Sequence, residues 1–335
     1  MILTAELLDR YIQIFNFRDE INLADKNIKE VKPDAFKNCR EREIRSLHLH
    51  CTQNNEQLSD QIKFNKTHLS LFDPLVEHLE ELDLSNNVFK CQFNFLKELI
   101  HLRKLELRGS VFKVAKPVFK CANNQLTHLD LSFSYLIISD KTMFNDLKCL
   151  KYLDISKVTL NNVLPDLFSE LKQLETLKMI GTSLPMSQNA FIRLENLKAL
   201  HFVGIQIPKN CSKIFVPLKN LQKLEMGSTA TFNYEAFEQV KNLRQLELSF
   251  ISDIKIDQNF FDNHPNLESL DLSYLNLTDK FLKQRENNVK YCIDLQAFTN
   301  LKSLKSLNLS ENNLILGPDC EIFSLENLER LDLSL

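Results

Sequence analysis

His48 and His50 stand two residues apart in Leu47-His48-Leu49-His50. That spacing puts both imidazoles on one side of an extended strand, where they could share a divalent metal. No third ligand stands beside them in the sequence, so the pair reads as surface decoration and no metal site is assigned. The eight cysteines (Cys39, Cys51, Cys91, Cys121, Cys149, Cys211, Cys292 and Cys320) contain no C-x-x-C and no metal-ligand spacing. Cys39 falls at an apolar position of a repeating pattern and is expected to be a buried thiol. Cys51 and Cys292 lie in or beside longer segments and could be disulfide-bonded, but their connectivity cannot be read. H-E-x-x-H, a glycine-rich phosphate loop and G-x-S-x-G are all missing from the sequence. Neither catalysis nor a cofactor is therefore expected.

The elements that must position any functional side chain come from a repeat. A unit L-x-x-L-x-L-x-x-(N/S/T)-x-L recurs from Leu79 through Leu102, Leu126, Leu150, Leu174, Leu197, Leu221, Leu243 and Leu267 to Leu304 and Leu328. Most intervals are 22 to 24 residues, and a fixed period in the twenties marks a solenoid. In the unit from Leu79 to Phe89, Leu82 and Leu84 alternate with Asp83, the period-2 pattern of a short strand with one buried face. Asn87 follows where the chain must turn, and its amide can satisfy backbone groups that the turn leaves open. Ten or more such strands side by side would make a curved parallel sheet, leucines inside and the intervening side chains on the concave surface.

A second ladder, Phe36, Phe119, Phe144, Phe168, Phe191, Phe215, Phe237, Phe261, Phe298 and Phe323, follows the strand of most units by about 13 residues, with Phe298 displaced by the oversized unit before it. Stacked aromatics there would fill the core behind the sheet. The combined pattern, with Ile28-Lys29-Glu30-Val31 leading into Ala35-Phe36, resembles the typical 24-residue class of leucine-rich repeat. That class is common in animal extracellular proteins, including Toll-like receptor ectodomains. The resemblance covers roughly residues 18 to 335. It implies an α/β solenoid, a horseshoe with a concave parallel β-sheet and a loop or short-helix convex side. The expected organisation is one domain over residues 1–335, of about 12 repeats. Long insertions are expected near 53–74 and 279–292, and the C-terminal repeat is incomplete.

The sequence departs from the family pattern in two ways. Val158, Ile205, Ile251 and Leu275 occupy the turn-satisfying position, so those turns must find another partner. Neither end carries the cysteine cluster that usually caps extracellular members, which suggests a fragment whose end coils are bare.

The concave row, read between the two strand leucines, runs from His48 and Asp83 to Asp271, Asn308 and Asp332, and eight of its twelve members are acidic. Lys178 and His201 interrupt that stripe. Phe133, Tyr152, Phe250 and Tyr274 project from strand or strand-exit positions, and large rings on a repeat surface are hot-spot candidates. These six residues are the candidate ligand-binding set. Four N-glycosylation sequons occur, as chance composition supplies. Asn65 and Asn276 are the candidate acceptors, whereas a glycan on Asn308 would block the concave face.

Net charge is −3, so a nucleic-acid partner has no electrostatic support. No apolar run reaches the roughly 18 residues of a membrane span. Met1 to Phe17 carries Glu6, Asp9 and Arg10 and is not a signal peptide. The function expected is non-catalytic binding of a protein or other macromolecule by part of an extracellular or cell-surface receptor, with receptor dimerisation possible. The alternatives are a cytoplasmic scaffold or adaptor, or the regulatory domain of a larger enzyme.

Overall fold

A computed structural model describes residues 1–15, 17–24, 26, 28–50, 62–64, 70–90, 94–112, 119, 125–138, 141–160, 166–182, 186–229, 233–251, 254–275, 293–312, 314, 322 and 325–334. The chain forms two compact units. One comprises residues 1–177 with 182–184 and 192–194; the other comprises 178–181, 185–191 and 195–335. The candidate acceptors Asn65 and Asn276, the segment 279–292, Phe323 and the cysteines at 51, 91, 121, 292 and 320 lie outside the described residues.

In the first unit, three-residue strands at Glu20–Asn22, Ser46–His48, Glu81–Asp83, Lys104–Glu106, His128–Asp130 and Tyr152–Asp154 run side by side, parallel and in chain order. Their register is strict: Leu47 faces Leu82, Leu82 faces Leu105, and Leu105, Leu129 and Leu153 continue the line. All five leucines are buried. A one-residue slip would turn every one of them outward, so burial itself fixes the register. The second unit repeats the plan with strands Ala199–Val203, Lys223–Thr229, Gln245–Ile251, Ser269–Asp271, Ser306–Asn308 and Arg330–Asp332. The fold is a parallel β-solenoid, as the repeat predicts.

Behind the strands the phenylalanines stack. In the first unit Phe36 lies 6.4 Å from Phe72, and Phe119, Phe144 and Phe168 follow one another at 6.3 and 6.4 Å. In the second, Phe191 stacks on Phe215 and Phe261 on Phe298, both at 6.0 Å. Each is almost wholly buried, and burial of such a ring contributes about 2–3 kcal/mol. Phe72 comes from the segment expected as an insertion at 53–74. That segment also supplies Lys63–Phe64, which pairs with Val88–Phe89, so its described part is solenoid structure. The remaining backbone behind the sheets is turns and single-turn helices such as Lys37–Cys39, Lys209–Cys211 and Leu295–Phe298.

The first coil is not bare. Ile2–Leu3 pairs with Glu30–Val31, and the α-helix Ala5–Phe15 lays Ala5, Leu8 and Ile12 on the coil edge. Thr4 starts the helix by accepting the Leu7 N–H at 3.3 Å, and apolar residues four apart give it a buried face. This helix packs on the edge for which the sequence offers no cysteine cluster. The last strand differs: Leu333 beyond it is 41% exposed.

The turns after the strands are closed by buried side chains. Asn87 donates to the carbonyls of Leu49 and Leu84 at 3.0 Å and Ser85 at 3.3 Å, while its Oδ1 accepts the Ile62 N–H. Asn312 does the same for Leu272, Leu309 and Ser310 and accepts from Leu275. Ser110, Ser134 and Thr182 each reach one carbonyl from the same position. At two of the four apolar positions other protein groups take over. Ile251 prolongs the strand and pairs with Thr229, and the Leu275 N–H is met by Asn312 of the next coil. The prolonged pair needs Gly227, because a Cβ there would collide with the Ser249 carbonyl.

Candidate protein-interaction surface

The residues between the strand leucines form one outward row in each unit. His48, Asp83, Glu106, Asp130 and Asp154 lie in register in the first. His201, Glu225, Glu247, Asp271, Asn308 and Asp332 do so in the second. Their acidity has a local cause. Oδ1 of Asp83, Asp130, Asp154, Asp271 and Asp332 accepts the N–H of the serine two residues on, at 2.7 to 2.9 Å. This Asx turn bends the chain out of the strand. The stripe is therefore turn chemistry first and a charged surface second.

At the start of the second unit's row, His201 Nδ1 touches a Glu225 carboxylate oxygen. The hydrogen bond from His201 holds the Glu225 carboxyl below the usual carboxylate range, and Lys223 and Lys178 add to it. Burial, with repulsion from Glu225 and Asp271, pushes the neighbouring Glu247 up. Lys178 and His201, singled out in the sequence, thus share one electrostatic cluster with Glu225. Sequence reasoning passed over Glu225, although it occupies the next place in the same row.

At or near the end of most strands the chain passes through a residue with left-handed backbone. In the first unit these are Asn86, Gly109, Phe133 and Lys157, at φ of 59° to 65°. In the second they are Gly181, Gly204, Ser228, Phe250, Tyr274 and Glu311, at φ of 52° to 77°. The N–H at this position donates to the coil that follows, as Asn86 does to the Arg108 carbonyl at 2.7 Å and Glu311 to that of Ser334 at 2.7 Å. Glycine and asparagine adopt this conformation readily, whereas a bulky side chain there is an outlier that costs roughly 1–2 kcal/mol.

Three of the four aromatic candidates sit at this position. Phe133, Phe250 and Tyr274 are 53%, 54% and 44% exposed. Phe250 and Tyr274 stack with centroids 4.8 Å apart and planes at 17°. Phe133 carries the Arg108 guanidinium 4.3 Å above its ring. Tyr152 is placed differently: half-buried on its strand, it lies flat against the His128 ring at 4.0 Å. The structure therefore joins Phe250 to Tyr274 and His201 to Glu225, while Phe133 and Tyr152 belong to the first unit. Tyr135, 69% exposed, was missed because it lies beyond the strand pattern used to choose candidates.

Comparison with known proteins follows the same repeat. Six copies of the family model described as "BspA type Leucine rich repeat region" match residues 70–198, 170–283 and 199–320. The chain belongs to the leucine-rich-repeat family. This leucine-rich-repeat protein is 26% identical to the CD180 antigen of Mus musculus over 322 residues, 93% of this chain and 45% of the relative. It thus spans less than half the length of the curated relatives it matches. Among solved structures it is similar to a leucine-rich-repeat protein of Leptospira interrogans, with TM-score 0.67, 21% identity, and 98% and 81% of the two chains covered. It is also similar to Toll in the Drosophila Toll–Spatzle complex, with TM-score 0.63, 17% identity, and 100% and 45% covered. The coarse reading follows: a repeat protein of the protein-interaction kind. Among the described residues no helix is long and apolar enough to cross a membrane.

Proposed function

We propose that this chain is the ligand-binding region of an extracellular or cell-surface leucine-rich-repeat receptor. It grips a protein partner without catalysis, and dimerisation on binding carries the signal. The observation that carries this reading is the placement of Phe250 and Tyr274. Both rings are exposed, stacked on one another and mounted on backbone that glycine would occupy with less strain. The coil itself bends this position left-handed, and a bulky ring placed there without burial in return points to a task on the surface. The likeness to Toll, seen in complex with Spatzle, supports a protein ligand. His201, Lys178 and Glu225 would supply the polar complement in the same unit.

The test uses the purified chain and a library of displayed secreted proteins from which a binder is selected. Phe250→Gly and Tyr274→Gly should each weaken the selected interaction about 30-fold, as truncation of a hot-spot ring does. Unchanged affinity in both variants would remove the aromatic pair from the binding surface.

One observation favours a second reading. Cys39, Cys149 and Cys211 are free thiols, which suits a cytoplasmic scaffold. Thiol titration of the denatured native protein separates the two: eight free thiols would rule out the extracellular reading.

A further inference from the structure

His48, His50 and Asp83 converge in the first unit. The ladder pairs His48 with Asp83 directly, and His50 follows two residues later on the same side. His50 Nδ1 lies 2.7 Å from Asp83 Oδ2, and His48 Nδ1 lies 3.8 Å from the same oxygen. One ligand atom from each of the three falls within 4.8 Å of the others. We propose that these three side chains bind a divalent first-row transition metal, with zinc the best fit. Ligands 2.0–2.1 Å from a tetrahedral ion stand about 3.3 Å apart, so separations of 2.7 and 3.8 Å bracket the required spacing.

The surroundings orient the donors as a metal site requires. Asp83 Oδ1 is held by the Ser85 N–H at 2.9 Å, which leaves Oδ2 turned toward both imidazoles. His48 presents Nδ1 to that oxygen, and its opposite nitrogen, Nε2, lies 3.6 Å from a Glu20 carboxylate oxygen. A carboxylate behind a ligating histidine fixes the ring and raises its donor strength. The side chains of His48, His50 and Asp83 are 21%, 29% and 10% exposed, shielded yet open to an entering ion. Two imidazoles and one carboxylate suit zinc, copper(II) or nickel better than calcium or magnesium, which prefer oxygen alone. Three protein donors leave a fourth position toward solvent, for water or a side chain of a bound partner. The ion would also clamp the coil of Ser46–His48 to that of Glu81–Asp83.

Calorimetric titration of the full chain with Zn²⁺ tests the assignment. Wild type should show one saturable site, lost in His50→Gln and in Asp83→Asn, and about 10-fold weaker in Glu20→Gln. Asp83→Asn keeps an oxygen for the Ser85 N–H, so its fold is preserved. The Co²⁺ spectrum of wild type gives a readout independent of any variant and should show nitrogen and oxygen ligation without thiolate bands. Absence of zinc uptake, equal uptake by wild type and Asp83→Asn, or a thiolate spectrum would each overturn the proposal.

Discussion

Phe250 and Tyr274 occupy equivalent places in adjacent coils, and their rings stack because the ladder holds those places one strand apart. Each backbone is left-handed, at φ of 52° and 56°. The stack therefore sits on strained supports. Replacing Phe250 by alanine keeps the strain and loses the stack, whereas glycine loses the stack and relieves the strain. Phe250→Gly should be more stable than Phe250→Ala by about 1 kcal/mol, the reverse of the usual order within a strand. Denaturant unfolding of the two variants checks this; an alanine variant at least as stable would mean the left-handed position stores no strain.

Asn87 closes one turn by sharing the two hydrogens of its amide among three carbonyls and accepting one N–H, all buried. Asn87→Ala leaves four backbone groups without that partner and should cost about 3–4 kcal/mol. Ser110→Ala, at the equivalent place with one bond donated to Leu84 and one long bond accepted from the Asn87 N–H, should cost only about 1–2 kcal/mol. Equal losses in urea titrations of the two variants would contradict this reading of the turn.

His264 is fully buried in a row otherwise filled by residues such as Leu218, Val240 and Leu301, with its ring stacked on Phe237 at 4.1 Å. Burial pushes its imidazole from the ordinary 6.5 down to about 4. Between those values the unfolded chain takes up the proton and the folded chain does not, so stability falls as pH falls. The contribution is complete above pH 6.5, and about 3 kcal/mol is gone by pH 4. His264→Leu should gain on wild type by that amount across the interval. Parallel stability curves would show that the buried ring takes up its proton without resistance.

The strand leucines and the phenylalanine ladder were legible because burial imposes a short period on the sequence. Column by column, Leu82 and Leu105 or Phe144 and Phe168 announce themselves. The exit turns carried a signal that went unread: Gly109, Gly181 and Gly204 share a column with Phe133, Phe250 and Tyr274. Comparing repeats with one another, rather than scanning along the chain, exposes that mismatch. The concave row already set Asp83 beside His48, but a third ligand was sought only in the sequence next to His50, and Asp83 stands 33 residues further on. The N-terminal helix was read only as a failed signal peptide. Its role depends on the coil edge against which it packs, and no local pattern states that.

At the exit of a strand, the amide reaches the carbonyl one residue before the matching place in the following coil, from Asn86 to Arg108 and again from Glu311 to Ser334. Each coil is thus both plug and socket, and the fittings are interchangeable. A gene encoding such a chain can gain or lose a whole unit by recombination and still produce coils that engage. A change of one or two codons between fittings is taken up in the turns, since units of 22, 23 and 24 residues already stand side by side in this chain.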